Sequence, residues 1–403
     1  MMAGRDGKKH SRSASARRYG VAVGGAVGAF VAAAAMATGS AAPARADFDA
    51  LIDPIIQPIL TSLTDSIAGF DPAAAADLTS WSDSLLASLN SLDVALPASA
   101  DPSSAVAAAA EPAAATGTYD IPITVAENTE PTVAATVDGA STTDLVDTGS
   151  SGLVIPDSDL SLTQLLDLGF PTGIGESGYS GGVEYLYLTY DNATVDYTGS
   201  GLTTSNTPIE VEVYSWDPSN FSSYFTNDAF QGFLSDNDVT GILGIGDNTS
   251  GAAGESPLAA AGFTGATVDL PQNELIVSDT NPGTVIDTLT ASGSTVGSLT
   301  ETVTNSSGAT VGTDTVSDDF DSGGVYGTIP SSIDSSALPN GDAVTVSDGT
   351  KELYSYTVGS SAANGAPTPT SGTSIDSGFQ AFEENPIYID YTNGTLSFDK
   401  PLS

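Results

Sequence analysis

Residues 142–156 read TTDLVDTGSSGLVIP, an apolar strand that runs into a turn of small residues. A carboxylate, Asp147, directly follows Leu145 and Val146, and the five positions after it are Thr, Gly, Ser, Ser and Gly. Gly149 lets the backbone turn tightly with no side chain in the way, so the loop can present Asp147 from a rigid position. The stretch therefore predicts a strand that ends in a carboxylate-bearing loop.

A second stretch repeats this spacing. Residues 147–156 (DTGSSGLVIP) align with residues 321–330 (DSGGVYGTIP), with Asp, a hydroxyl residue, Gly and Pro at the same offsets. Each copy follows a strand–turn–strand pattern, with polar turns at 137–139 and 305–308. An internal repeat of this kind indicates two related lobes, each of which delivers one Asp-Thr/Ser-Gly loop.

The two loops resemble those of the pepsin-like aspartic proteases, over roughly residues 118–403. DVTGILGIG (238–246) is similar to the strand that crosses behind the first catalytic loop, and YSGGVEYLYLTYD (179–191) to the flap hairpin. FQAFEENPIYIDYTNGTLSF (379–398) is similar to the family's closing helix and hairpin. The loop spelling and the separate N-terminal region are most similar to the mycobacterial branch that cleaves exported PE-family proteins.

The resemblance implies an all-β, bilobal pepsin-like fold with pseudo-twofold lobes, preceded by a short α-helical N-terminal segment. It implies that Asp147 and Asp321 are the catalytic pair and that Tyr179 is the flap residue. The residues that it implies as support for the pair are Thr148, Gly149, Ser150, Ser322 and Gly323. Two carboxylates within about 3 Å cannot both ionise easily, so such a pair shares a proton and can activate water. That chemistry needs no cofactor and no metal.

The composition excludes most other catalytic chemistry. The only histidine and seven of the nine basic residues lie in residues 1–46, which read as a signal peptide: a basic start, an uncharged run and Ala44-Arg45-Ala46 before Asp47. Without Asp6, 49 acidic residues remain against two lysines, a net charge of −47, with no Arg, His or Cys. Serine triads, thiol nucleophiles and His/Cys zinc sites cannot be built from this set.

The domain organisation follows from changes in composition and apolar periodicity along the chain. After the signal peptide, residues 47–96 have a helical apolar period, and residues 97–117 are a Pro/Ala-rich linker. Short Val-, Thr- and Tyr-rich runs between turns then predict the N-terminal lobe at 118–265 and the C-terminal lobe at 266–403. Residues 47–117 contain no basic residue, which disfavours an inhibitory prosegment and favours a partner-binding or surface-associating segment, removable by self-cleavage in the linker.

Several assignments stay open in the sequence. Asp376, in Asp-Ser-Gly, competes with Asp321 for the second catalytic position, and Tyr190 competes with Tyr179 for the flap. Asp319 stands where an apolar residue is usual, and Gly324 stands where the first loop has Ser150, so a degenerate homologue is the alternative. The acidic stretches at 157–159 and 236–238 lack the later Gly and Glu of a calcium loop and are predicted to be solvated turns.

The sequence thus predicts a secreted or envelope-associated aspartic endopeptidase that acts on protein or peptide substrates, with a catalytically degenerate β-rich cell-surface binding protein as the alternative. We expect a monomer with no nucleic-acid partner and no transmembrane anchor after signal cleavage near Ala46. The Arg17-Arg18 pair leaves twin-arginine export open beside general secretion. The acidic excess predicts greater compactness and activity at mildly acid pH.

Overall fold

The computed structural model describes residues 117–169, 171–179, 182–220, 222–223, 226–247 and 255–401. The predicted signal peptide (1–46), the helical segment (47–96) and the linker up to residue 116 lie outside these residues. Within the described ranges the secondary structure is mainly β-strand with a few short α-helices, which confirms the all-β prediction. No helix in this part of the chain is both long and apolar enough to cross a membrane.

The strands and helices are numbered in chain order. The first eight strands are β1 (Tyr119–Ala126), β2 (Glu130–Val137), β3 (Ala140–Asp147), β4 (Ser151–Pro156), β5 (Gly173–Tyr179), β6 (Val183–Tyr197), β7 (Leu202–Trp216) and β8 (Gly241–Ile245). The remaining strands are β9 (Gly265–Asp269), β10 (Glu274–Ser278), β11 (Thr284–Thr290), β12 (Thr295–Thr304), β13 (Thr310–Asp319), β14 (Thr328–Pro330), β15 (Ala343–Asp348), β16 (Lys351–Thr357), β17 (Thr368–Thr370), β18 (Ser374–Asp376), β19 (Ile387–Asp390) and β20 (Thr395–Lys400). The helices are α1 (Leu162–Asp167), α2 (Ala229–Asp236), α3 (Pro257–Ala260) and α4 (Gln380–Glu384).

Local sequence explains the hairpin that leads to the first loop. Asp138 and Gly139 both have positive φ (46° and 85°), the geometry of the tight turn that best fits the twist of two antiparallel strands. The turn sets the β2–β3 register, in which Val137 pairs with Ala140 and Thr132 with Leu145. As a result, β3 ends at Asp147 with its apolar residues buried beneath the loop.

The two lobes repeat one topological unit. In the first lobe the β2–β3 hairpin is followed by parallel pairing of β3 with β8 and of β4 with β7. In the second lobe the β12–β13 hairpin is followed by parallel pairing of β13 with β18 and of β14 with β17. This correspondence is the structural form of the sequence repeat, and it gives the pepsin-like bilobal arrangement.

A continuous sheet connects the lobes. Its strand order is β11-β20-β19-β9-β10-β1-β2-β3-β8-β4-β7-β6-β5, so β9 and β10 lie between strands of the two lobes. β9 begins at Gly265, next to the predicted boundary between 265 and 266, and the chain therefore passes from one lobe to the other through a shared sheet.

The closing segment forms as predicted, a short helix (α4) followed by the β19–β20 hairpin. Phe382 and Phe398 from this segment are fully buried, and Phe398 packs edge-on against Phe320, with ring centroids 4.8 Å apart. Phe320 directly precedes Asp321, so the tail supports the second loop from beneath. Of the acidic stretches predicted to be turns, residues 157–159 form a single 3-10 helical turn, and residues 236–238 cover the last residue of α2 and the turn that follows it.

Candidate active site

The two repeated loops place Asp147 and Asp321 face to face. A Cβ built on Gly149 of the first loop would lie 2.6 Å from Cγ of Asp321, and one built on Gly323 would lie 3.5 Å from Cγ of Asp147. Each carboxyl group thus packs against the glycine of the opposite loop. Any larger residue at 149 would collide with Asp321, which explains why the third loop position is glycine.

Reciprocal hydrogen bonds from Thr148 and Ser322 fasten the loops together. The Thr148 hydroxyl donates to the Phe320 carbonyl (2.6 Å) and accepts from the Ser322 N–H (2.8 Å). The Ser322 hydroxyl donates to the Val146 carbonyl (2.6 Å) and accepts from the Thr148 N–H (3.1 Å). Both hydroxyl side chains are buried, so this twofold arrangement fixes the separation of the two aspartates from below.

The hydrogen bonds to the two carboxyl groups differ. Asp147 accepts from the Gly149 N–H (2.8 Å) and from the Ser150 hydroxyl (2.5 Å). Asp321 accepts from the Gly323 N–H (2.8 Å). Removal from water, together with the charge of Asp147, raises the pKa of Asp321 well above its ordinary value. Asp147 thus receives two hydrogen bonds from its own loop, and Asp321 receives one from its own.

Asp376 lies beside the second loop and not between the two loops. The Asp376 carboxyl packs against Gly324, whereas the atoms nearest to the first-loop Gly149 belong to Asp321. Of the two candidates for the second position, Asp321 is the one that the structure brings against Asp147's loop.

Tyr179 lies at the tip of the β5–β6 hairpin, where it pairs with Val183. The hairpin starts at Gly173, six residues before the stretch compared with a flap. The strand GIGESGY was not predicted, because Ile174 and Tyr179 are its only residues of a type that is common in strands. The alternative flap residue, Tyr190, is buried in the hydrophobic core and pairs with Ile209 in mid-sheet.

An aromatic group surrounds Tyr179. Its ring stacks on Phe233 (5.4 Å, 8°) and on Tyr185 (5.7 Å, 11°), and Phe230 lies 6.2 Å away. Burial and the neighbouring charges of Tyr185 and Asp147 raise the pKa of Tyr179, so its hydroxyl stays neutral near the aspartates. Sequence reasoning missed Phe230 and Phe233, although their helical spacing on α2 marks one apolar face.

A further acidic residue, Glu130, lies near the site. Burial, followed by the charge of Asp147, raises the pKa of Glu130 to about 7. The one ion pair among the described residues joins Lys351 to Asp287 (2.5 Å). Within the same ranges, no group of three or more Asp, Glu, His or Cys side chains is arranged to hold a metal ion.

Comparison with known proteins places the domain in a family. Residues 119–397 match the PE-PGRS C-terminal aspartyl peptidase-like domain. The chain belongs to this family. The match covers both loops, and the assignment agrees with the aspartic-type peptidase that the sequence predicts.

Curated relatives agree with the family assignment. The chain is 36% identical over 301 residues to PE cleavage protein A of Mycobacterium tuberculosis, and 38% identical over 302 residues to PE cleavage protein A of Mycobacterium marinum. Each alignment covers 70% of this chain and 52% of the relative, so the chain spans about half the length of the curated relatives it matches. Among solved structures, an aspartic proteinase from Irpex lacteus is similar at 14% identity and a TM-score of 0.49, over 71% of this chain and 98% of that one.

Proposed function

We propose that the protein is an aspartic endopeptidase whose catalytic pair is Asp147 and Asp321. The observation that carries this proposal is the reciprocal bonding of Thr148 and Ser322, which holds two carboxyl groups face to face on twofold-related loops. Two ionised carboxylates this close repel strongly, so the pair carries a single proton at working pH.

The reaction follows from the difference between the two aspartates. Asp147, which accepts two hydrogen bonds, is the ionised base and takes a proton from a water bound between the carboxyl groups. That water attacks the peptide carbonyl carbon, while protonated Asp321 donates to the carbonyl oxygen and stabilises the negative charge that develops there. Asp147 then gives its proton to the amide nitrogen, and the C–N bond breaks while Asp321 takes back a proton from the diol, which leaves a carboxylic acid and an amine.

The β5–β6 hairpin provides the cover over the reacting bond. Tyr179 and Phe233, which stack on each other and are partly exposed, form an apolar surface close to Asp147, and such a surface favours binding of an extended peptide with water excluded. The Tyr179 hydroxyl is buried close to the side chains of Ser150 and Tyr185, so the hairpin is held beside the first loop.

Export and substrate class belong to the same proposal. The N-terminal 46 residues have the pattern of a signal peptide, which supports a location outside the cytoplasm or in the cell envelope. The curated relatives are named for cleavage of PE proteins, which favours exported proteins of that class as substrates. The Ala-rich linker ahead of the domain is a candidate site of self-cleavage.

A cleavage assay tests the proposal. The purified full chain is incubated with exported proteins of a mycobacterium between about pH 3 and pH 7, with and without a statine-type inhibitor, and new peptide termini are identified. The proposal predicts cleavage that the inhibitor blocks. A degenerate binding protein predicts no new termini at any of these pH values and no binding of the inhibitor.

A further inference from the structure

The two catalytic loops differ at one position. In the first loop, the Ser150 hydroxyl donates to Asp147. The matching position in the second loop is Gly324, which has no hydroxyl to offer Asp321. Gly324 does not have the left-handed backbone geometry that would require glycine, so another property of its surroundings must account for it.

The Asp376 carboxyl occupies the space beside Gly324. A Cβ on Gly324 would lie 2.3 Å from one Asp376 carboxyl oxygen and 2.7 Å from the other, closer than real side chains approach. Asp376 is held in this place, because its carboxyl accepts from the Gly378 N–H (2.8 Å) and its own N–H donates to the Thr328 hydroxyl (2.9 Å). Glycine at position 324 therefore leaves room for a carboxyl group that is held in place.

The strand register shows what this carboxyl group replaces. In the first lobe, β3 and β8 pair Leu145 with Ile242, two residues before Asp147 and Gly244. In the second lobe, β13 and β18 pair Asp319 with Asp376, two residues before Asp321 and Gly378. A pair of acids thus stands behind Asp321 where an apolar pair stands behind Asp147.

The groups that face Asp376 are themselves acidic. They are Asp318 and Asp319 from β13, Asp321 from the second loop and Asp147 from the first. Asp318 is bonded to the Tyr354 hydroxyl (2.9 Å), and Asp319 accepts from the Ser294 hydroxyl. Burial, with the charges of Asp319 and Asp147, raises the pKa of Asp376 to about 7, and the charge of Asp376 in turn contributes to the raised pKa of Asp321.

We propose that Asp376 is a positioning residue for peptide hydrolysis: its carboxyl group takes the place of the missing hydroxyl beside Asp321 and makes Asp321 the acid of the pair. This inference rests on the proposed function. Below about pH 7, Asp376 is a neutral wedge that fixes the second loop. Above that pH its negative charge opposes ionisation of Asp321, so Asp321 keeps its proton to higher pH.

The pH profile of the Asp376→Asn variant tests the electrostatic part. Asparagine keeps the shape but cannot become charged, so the basic limb of the kcat/KM profile should move down by about one pH unit. The acid limb should stay in place, because Asp376 is neutral there in both proteins. Asp196→Asn removes a charge at an exposed site on β6 and should leave both limbs unchanged. A basic limb that coincides with that of the wild type overturns the proposal; if the Asn variant does not fold, Asp376→Ala gives the same comparison.

A double-mutant cycle followed by thermal unfolding tests the packing part of the proposal, and it requires no measurement of activity. Gly324→Ser in the full chain should lower Tm by several degrees, because its Cβ collides with Asp376. The same change in an Asp376→Ala background should cost much less, because the space is then free. An equal cost in both backgrounds overturns the packing argument. If the wild type cleaves no protein, the proposed function fails, but this cycle still decides whether Asp376 fills the place beside Gly324.

Discussion

Replacement of Thr148 by valine removes the hydroxyl that fastens the two loops together while keeping the shape of the side chain. Two buried groups lose their partner, the Phe320 carbonyl (2.6 Å) and the Ser322 N–H (2.8 Å). Each buried group left unpaired costs about 1–3 kcal/mol, so the free energy of unfolding should fall by about 2–6 kcal/mol. Domains of this size lose about 2–4 °C in Tm per kcal/mol, which corresponds to a decrease of about 5–20 °C.

Activity should fall together with stability, because the separation of Asp147 and Asp321 depends on this bond. A misplacement of about 1 Å can cost about 100-fold in rate, so kcat/KM should fall at least about 10-fold. Thermal unfolding and peptide cleavage at pH 5 measure the two effects. The matched control is Thr302→Val, which removes a hydroxyl pair with Thr313 on an exposed strand face (3.2 Å) and should change stability by about 0.5 kcal/mol or less. A Thr148→Val protein as stable as this control would refute the reasoning.

Two further predictions concern buried carboxyl groups and the first loop. Burial raises the pKa of Glu210 from 4.5 to about 8, so this residue contributes stability that is present below about pH 4.5 and lost as the pH rises through 8. Between pH 5 and pH 9, Glu210→Gln should therefore gain about 2–4 kcal/mol of unfolding free energy relative to the wild type. The exposed control Glu255→Gln should show the same pH dependence as the wild type. If the urea unfolding curves of Glu210→Gln and the wild type differ by the same amount at both pH values, the prediction is contradicted. Ser150→Ala removes the 2.5 Å bond to Asp147, so kcat/KM should fall about 10- to 100-fold and the free energy of unfolding by about 1–3 kcal/mol, both measured against exposed Ser158→Ala. Undiminished cleavage would show that the bond does not serve the reaction.

The parts of the fold that the sequence predicts are those that depend on local rules. Asp138-Gly139 sets a hairpin, and a glycine after an Asp-hydroxyl pair sets a loop, so both copies of the unit can be read from short stretches. The helix and hairpin at the C-terminus were predicted from the resemblance of residues 379–398 to the family's closing segment. The hairpin that carries Tyr179 starts earlier than predicted. Its start was missed because the small residues of β5 do not show a strand pattern.

The features of the site that could not be predicted from the sequence depend on the register between strands that are distant in the chain. Nothing local indicates that Asp319 pairs with Asp376, 57 residues later, or that this pair occupies the place of Leu145 and Ile242. The sequence does show two differences from the family pattern, an acidic residue before the second loop and Gly324 within it. Only the structure shows that both are explained by the position of Asp376. The aromatic residues of α2 come to Tyr179 for the same reason, through packing and not through sequence proximity.

The central claim, that Asp147 and Asp321 form the catalytic pair, is tested most directly by their asparagine variants. Asp147→Asn and Asp321→Asn are purified as full chains, and peptide cleavage is measured beside the wild type and the exposed control Asp196→Asn at the wild type's optimum pH. The account predicts that each single variant unfolds at a temperature close to that of the wild type and loses at least about 1,000-fold in kcat/KM, because one carboxyl group cannot both activate water and protonate the carbonyl oxygen. Cleavage by either folded variant at the wild-type rate would contradict it.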